Sequence, residues 1–220
     1  MKSLRENRVP VDYLHDSKIA DCDRSDGIAL TAFDGHAFDT DLSVTKINGE
    51  VFPFLFYNYI EKNFAVKLGQ MSLDRDYSDF FKESFAIESG RTGCYSLVDE
   101  PAENDYTLEI VYDTCITVSK YHQNTTIIFL IFTYSIYSQE VGFPAQTDLS
   151  VHVTLRKGDE IILDNKYFIN KTLPPIPSDN MNINKMRFDF VSNMAESLSL
   201  GTKECIEQII DDINSGIRKN

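Results

Sequence analysis

Apolar and polar positions alternate with a period of two through much of the chain, and the longest such run organises the rest. Within Tyr106–Ser119, Leu108, Ile110, Tyr112, Ile116 and Val118 fall on one face. Thr107, Glu109, Asp113, Thr117 and Ser119 fall on the other. That pattern predicts a long strand with one wet face. Lys120–Asn124 is polar and reads as a hairpin turn with His122 at its tip. Thr125–Ser138 returns, and its apolar run Ile127–Phe132 predicts a central strand covered on both sides. Both arms are rich in β-branched and aromatic residues, which suit a pleated surface.

The same reading places a hairpin over Val44–Gln70, with strands Val51–Tyr57 and Asn63–Gly69 joined by a turn at Asn58–Lys62. Pro53 cannot donate to a ladder, so the first of these strands is expected at a sheet edge. Ser72–Glu88 reads as a helix capped by Ser72 or Asp74, with Tyr77, Phe80, Phe81, Phe85 and Ile87 at spacings of three and four. Gly90 and Gly93 are expected to end it. Cys94–Val98 predicts a short strand, paired across Asp99–Asp105 with Leu108–Cys115. Leu149, Val151, Val153 and Leu155 alternate with polar neighbours, and Lys157-Gly158-Asp159 turns the chain into a returning strand. After the proline-rich loop at Leu173–Asn184, residues 185–217 read as helical. Phe190, Met194 and Leu198 form one stripe and Cys205, Ile206, Ile209, Ile210 and Ile213 another, with a break expected at Gly201.

This order predicts an α+β fold: a two-layer domain with a mostly antiparallel sheet and two amphipathic helices packed on one face. The domain is expected over residues 44–220. Residues 1–43 carry eight aspartates and little periodicity, and read as an acidic irregular arm in which Ile28–Phe33 could form a short strand.

Composition narrows the function. The chain has 220 residues and a formal net charge of −13, which argues against nucleic acid or anionic lipid as a surface-wide partner. Met1–Arg8 is polar with no apolar stretch behind it, unlike a secretory leader. That leaves a cytoplasmic protein or one whose export signal has been removed. Cys22, Cys94, Cys115 and Cys205 show no CxxC spacing, so a zinc knuckle or thioredoxin motif is not expected. An even count permits disulfides of unreadable pairing. The predicted strand pairing sets Cys94 and Cys115 too far apart to bridge, and buried free thiols are the expected state.

Candidate chemistry is sparse. Asp21–Gly27 lacks the Gly at position six and the Glu at position twelve that an EF-hand requires. Asp34, His36, Asp39 and Asp41 gather an imidazole and three carboxylates, a metal-binding candidate centred on Asp34, His36 and Asp39 that matches no strong ligand spacing. His122 and His152 could each serve a cysteine as base, but no spacing joins them. There is no GxSxG, HExxH or Gly-rich phosphate loop. Asn124-Thr-Thr and Asn170-Lys-Thr match the glycosylation acceptor pattern, which chance also supplies. No catalytic residue and no cofactor are assigned.

Four segments together carry a resemblance. Ser78–Val98 runs a helix through Gly-Arg-Thr-Gly into a short strand, Asp105-Tyr-Thr-Leu-Glu-Ile opens a long strand, and Asp148–Phe168 forms a hairpin ahead of the closing helix at Met194–Ile213. This succession is similar to small envelope lipoproteins of Gram-negative bacteria whose domain resembles the amino-terminal domain of TolB, over roughly Val44–Ile213. The resemblance implies a non-enzymatic accessory or assembly protein of the cell envelope, periplasmic and outer-membrane-associated. Its partners would be other envelope proteins or a second copy, and any membrane attachment would come through a lipid anchor this chain lacks. A cytoplasmic location is the alternative. The surface expected to serve is the edge strand with Val51, Phe52, Phe54 and Phe56. Two other readings stand beside it: a carrier of a small apolar ligand between sheet and helices, motivated by the abundant Phe and Tyr, and a metal-binding or hydrolytic enzyme using His36 with Asp34 or Asp39.

Overall fold

A computed structural model describes residues 8–22, 24–34, 42–53, 57–102, 105–129, 133–176 and 183–218. The strands are β1 (Gly27–Asp34), β2 (Ser43–Pro53), β3 (Tyr57–Lys67), β4 (Ser96–Val98), β5 (Tyr106–Phe129), β6 (Tyr134–Gly142), β7 (Gln146–Lys157) and β8 (Glu160–Thr172). Two α-helices complete the order, α1 (Tyr77–Thr92) after β3 and α2 (Ile183–Ile217) at the end. The fold is α+β with one mixed sheet. β1 runs parallel to β4 and β5, whereas β2–β3, β3–β5, β5–β6, β5–β7 and β7–β8 are antiparallel.

β5 is the spine, and it differs from the expected hairpin. Lys120–Asn124 lies in mid-strand, because it contains neither Gly nor Pro and its residues pair with β3 on one side and β6 on the other. The chain reverses only after Phe129. Ile127 and Ile128 are half-buried and Phe129 is exposed, so this part of the strand is not covered on both sides. β5 also contains a bulge between Tyr112 and Thr114. A bulge adds one residue and reverses the facing of everything beyond it. Tyr106, Leu108, Ile110 and Tyr112 point to the core before it, and Cys115, Thr117, Ser119 and Tyr121 after it. Ile116 and Val118 therefore leave the face they were expected to share with Leu108. The two polar residues that replace them are satisfied: Thr117 Oγ1 meets Thr147 Oγ1 at 2.8 Å, and Ser119 Oγ donates to the Phe143 carbonyl at 2.9 Å.

Part of the expected arm is inside the sheet. β1 stands between β5 and β4, and Val9 and Val11 are fully buried. β4 consequently pairs with β1 rather than directly with β5. The β2–β3 connection falls at 54–56, and Asn58–Lys62 is strand.

Asp76, not Ser72 or Asp74, caps α1 by accepting from the Ser78 and Asp79 amides. The helix continues through Gly90 and ends at Gly93, whose φ of −71° is not left-handed. Tyr77, Phe80, Phe81 and Phe85 are buried as expected; Ile87 is exposed and Glu88 takes an interior position instead. Phe33, Phe81 and Tyr112 form an edge-on cluster with ring centroids 5.1–5.5 Å apart. Both apolar stripes of α2 are buried, and the helix passes Gly201 without a break. Gly201 faces Thr147, Lys171 and Ile169, with room there for a Cβ.

Candidate interaction surface

The pairing of β5 divides the sheet into two halves. Tyr106–Val118 is flanked by β7 and, over its first part, by β1; α2 packs over this half. Val118–Ile128 is flanked by β3, and Tyr121–Phe129 by β6. With β2 outside β3, this second half is a four-stranded antiparallel blade. α2 reaches its base, where Phe190 packs on Tyr121 at 5.0 Å and Arg187 holds Glu140.

Both outer strands of the blade are edges. Among the described residues β2 pairs only with β3, and in the blade β6 pairs only with β5. The edge position expected for Val51 is therefore present, and Val51 is 62% exposed. Lys46, an irregularity between Lys46 and Asn48, and Pro53 flank the edge of β2, and these are features that discourage indiscriminate pairing. Phe52 lies on β2 opposite Tyr59, although its side chain is not described, and Phe54 and Phe56 lie outside the described residues.

Exposed apolar side chains concentrate at the far end of the blade: Phe129 46%, Tyr134 65%, Ile136 58% and Tyr137 62%. Register assigns their faces. Ile136 is opposite Ile127, and Tyr137 is opposite Thr126 and, through it, Tyr59. Consecutive residues alternate across the sheet, so Ile136 and Tyr137 point to opposite sides.

The metal candidates fall largely outside what the structure describes. Asp34 ends β1 opposite Val111, and its side chain is not described; His36 and Asp39 lie outside the described residues. Among the described residues no three His, Cys, Asp or Glu side chains gather as metal ligands would. His122 is on β5 with Asn63 Oδ1 2.5 Å from Nδ1, and His152 contacts Asp164 at 2.7 Å on an exposed sheet face. Neither touches a cysteine. Cys115 and Cys205 are buried free thiols, as expected, with desolvation pushing Cys115 up to about 12. Cys22 and Cys94 depart from that expectation and form a disulfide with Cα atoms 5.5 Å apart. Their separation of 72 residues, and a placement for Cys22 that has no periodic pattern to reveal it, hid the pairing in the sequence.

Two buried polar clusters were also invisible there. At the blade's base Glu140 accepts from Arg187 Nε at 2.9 Å and from the Tyr121 hydroxyl. Arg187 is held above its usual range, chiefly by its hydrogen bond to Glu140. In the second cluster, the N-terminal segment crosses the helices. Ser17 donates to the fully buried Glu88, His15 Nδ1 lies 3.5 Å from the other Glu88 oxygen, and Arg91 donates to the Ser17 carbonyl at 2.6 Å. A hydroxyl–imidazole relay needs the imidazole between hydroxyl and carboxylate. Here the carboxylate stands in the middle, so the cluster anchors the segment and offers no activated serine.

Three clefts, of about 310, 400 and 420 Å³, open at the surface. They lie beside the β5 bulge, between the N-terminal segment and α2, and beside the β6–β7 connection. The space between sheet and helices at Phe33, Phe81 and Tyr112 is filled by their rings.

No family model matches the chain, and no curated protein matches it. The crystal structure of protein XCC0632 from Xanthomonas campestris, of family DUF330, is similar at 9% identity with a TM-score of 0.40, covering 96% of this chain and 97% of that one. A likeness at that score carries no argument about function.

Proposed function

We propose that this protein is a non-enzymatic accessory or assembly protein of the bacterial cell envelope, acting through protein–protein contacts along β2. We read its architecture as two layers, with both helices on one face of the sheet and the opposite face and the blade left for partners. The observation that carries the proposal is the unpaired edge of β2, an eleven-residue strand bonded to the sheet on one side only. An extended segment of a partner can add to such an edge through main-chain hydrogen bonds. The Cys22–Cys94 disulfide supports a periplasmic location, because such bonds persist in oxidising compartments. The order of elements shared with TolB-like envelope lipoproteins supports the same reading.

The test is photo-crosslinking from position 47 on β2 in the native cells, with fractionation of the product. Crosslinks to envelope proteins or to a second copy, lost when Val51→Lys is added with the probe kept at position 47, are expected. Recovery of the protein only in the cytosol, with Cys22 and Cys94 both alkylated as thiols, would refute it.

A further inference from the structure

We infer that the far end of the blade is a membrane-contacting tip that enters the interface of a zwitterionic lipid bilayer. This goes beyond the protein-contact reading of β2, and beyond attachment through a lipid anchor, because the contact is built from the sheet itself.

Three observations carry it. The first is charge. In a chain of net charge −13, Val51–Ile60 and Tyr121–Gln139 contain no Asp, Glu, Lys or Arg. Register brings these two stretches together in neighbouring strands of the blade. Charge returns at Glu61, Lys62 and Glu140, towards the base, and Glu140 is neutralised there by Arg187.

The second observation is that both faces carry large apolar side chains among small uncharged polar ones. Val51, Ile60, Ile127, Phe129, Tyr134 and Ile136 share one face; Tyr59, Ile128 and Tyr137 are on the other. A partner protein or second copy seated on one face would leave the other in water. A lipid interface surrounds an inserted end on all sides, and an uncharged two-faced tip is what it accepts.

The third is composition and reach. Tyr59, Tyr134 and Tyr137 combine an apolar ring with a polar end, the property that enriches tyrosine at membrane–water boundaries. Six residues separate Gln123 from Phe129 on β5, which is about 20 Å at 3.3 Å per residue. Interfacial elements bury roughly 5–10 Å below the headgroups. The blade therefore reaches that depth while its base and the helices stay in water. The negative charge of the remainder selects against anionic lipid.

The chain contains no Trp, so a single substitution gives an unambiguous reporter. Phe129→Trp in the full chain should shift its emission to shorter wavelength on adding phosphatidylcholine vesicles. Vesicles with brominated acyl chains should quench it, and phosphatidylserine should not strengthen the effect. Phe168→Trp reports an exposed aromatic on β8, outside the blade, and should show neither response. Ile136→Asp with Tyr137→Asp should abolish co-sedimentation with vesicles while circular dichroism is unchanged. A milder pair, Ile136→Ser with Tyr137→Ser, covers the case in which the acidic pair fails to fold. Equal responses at 129 and 168, or none at 129, overturn the inference. So does a blue-shifted Phe129→Trp that depends on protein concentration without vesicles, which would assign the tip to a second copy. Any of these outcomes, with crosslinking from position 47 intact, would leave the β2 reading standing.

Discussion

A Cβ built on Gly201 would stand 3.4 Å from Thr147 Cγ2 and farther from Lys171 and Ile169, which is ordinary contact. Glycine inside a helix costs about 1 kcal/mol relative to alanine. Gly201→Ala should therefore stabilise the protein by about 0.5–1 kcal/mol in urea denaturation. Gly142 gives the opposite result. Its Cβ would come within 2.6 Å of Phe190 Cδ2, on a ring already packed against Tyr121. Gly142→Ala should cost about 1–3 kcal/mol, the usual range for overpacking. The neighbouring Glu140–Arg187 pair tests how the blade joins the helical half. Arg187→Met strands a buried carboxylate and should cost about 3–5 kcal/mol. Adding Glu140→Gln should recover most of that loss, as a double-mutant cycle would measure. These sites share one lesson. Glu140 and Gly142 meet Arg187 and Phe190 only through the fold, so nothing in their local sequence marks them.

At the scale of elements, legibility followed locality. The β7–β8 hairpin could be read because its alternation is regular and its turn uses Gly158 at a φ of 57°. Both helices could be read from their stripes. The bulge at Asp113 could not, since one inserted residue leaves composition unchanged while reversing a face. β1 could be read as a short strand over Ile28–Phe33, but its place in the sheet could not, because its parallel neighbours β4 and β5 lie far along the chain. Val51 was placed at an edge because Pro53 carries a local physical consequence, whereas the blade's two apolar faces required knowing which strands adjoin. The disulfide is another distant link, tying the segment before β1 to the connection before β4. In the chain-entropy account a cross-link over such a loop stabilises by about 2–4 kcal/mol. Reduction should lower the unfolding temperature. Amide exchange should rise first in β1 and β4, because the three-residue β4 pairs with β1 alone. Uniform acceleration across all strands would mean that the disulfide does not hold this corner specifically.

The whole molecule has an alkaline limit set by its interior. Burial pushes Tyr77, Tyr95 and Tyr112 above the usual tyrosine range, and the Ser89 hydroxyl only partly offsets this at Tyr95. A group whose folded pKa is raised favours its protonated form in the native state. Its contribution is fully present below the unfolded value near 10 and is lost as pH rises towards the folded value. Each such tyrosine removes roughly 1.4 kcal/mol of stability per pH unit above about 10, so three remove about 4 kcal/mol per unit. Domain stabilities are about 5–15 kcal/mol, so cooperative unfolding should fall within a few pH units above 10. The net charge of −13 adds repulsion that grows as more groups ionise. Ultraviolet titration should show the exposed phenols ionising first and the buried ones together with the loss of circular dichroism. Smooth ionisation of all the tyrosines near pH 10 with the secondary structure intact would contradict the packing of these rings.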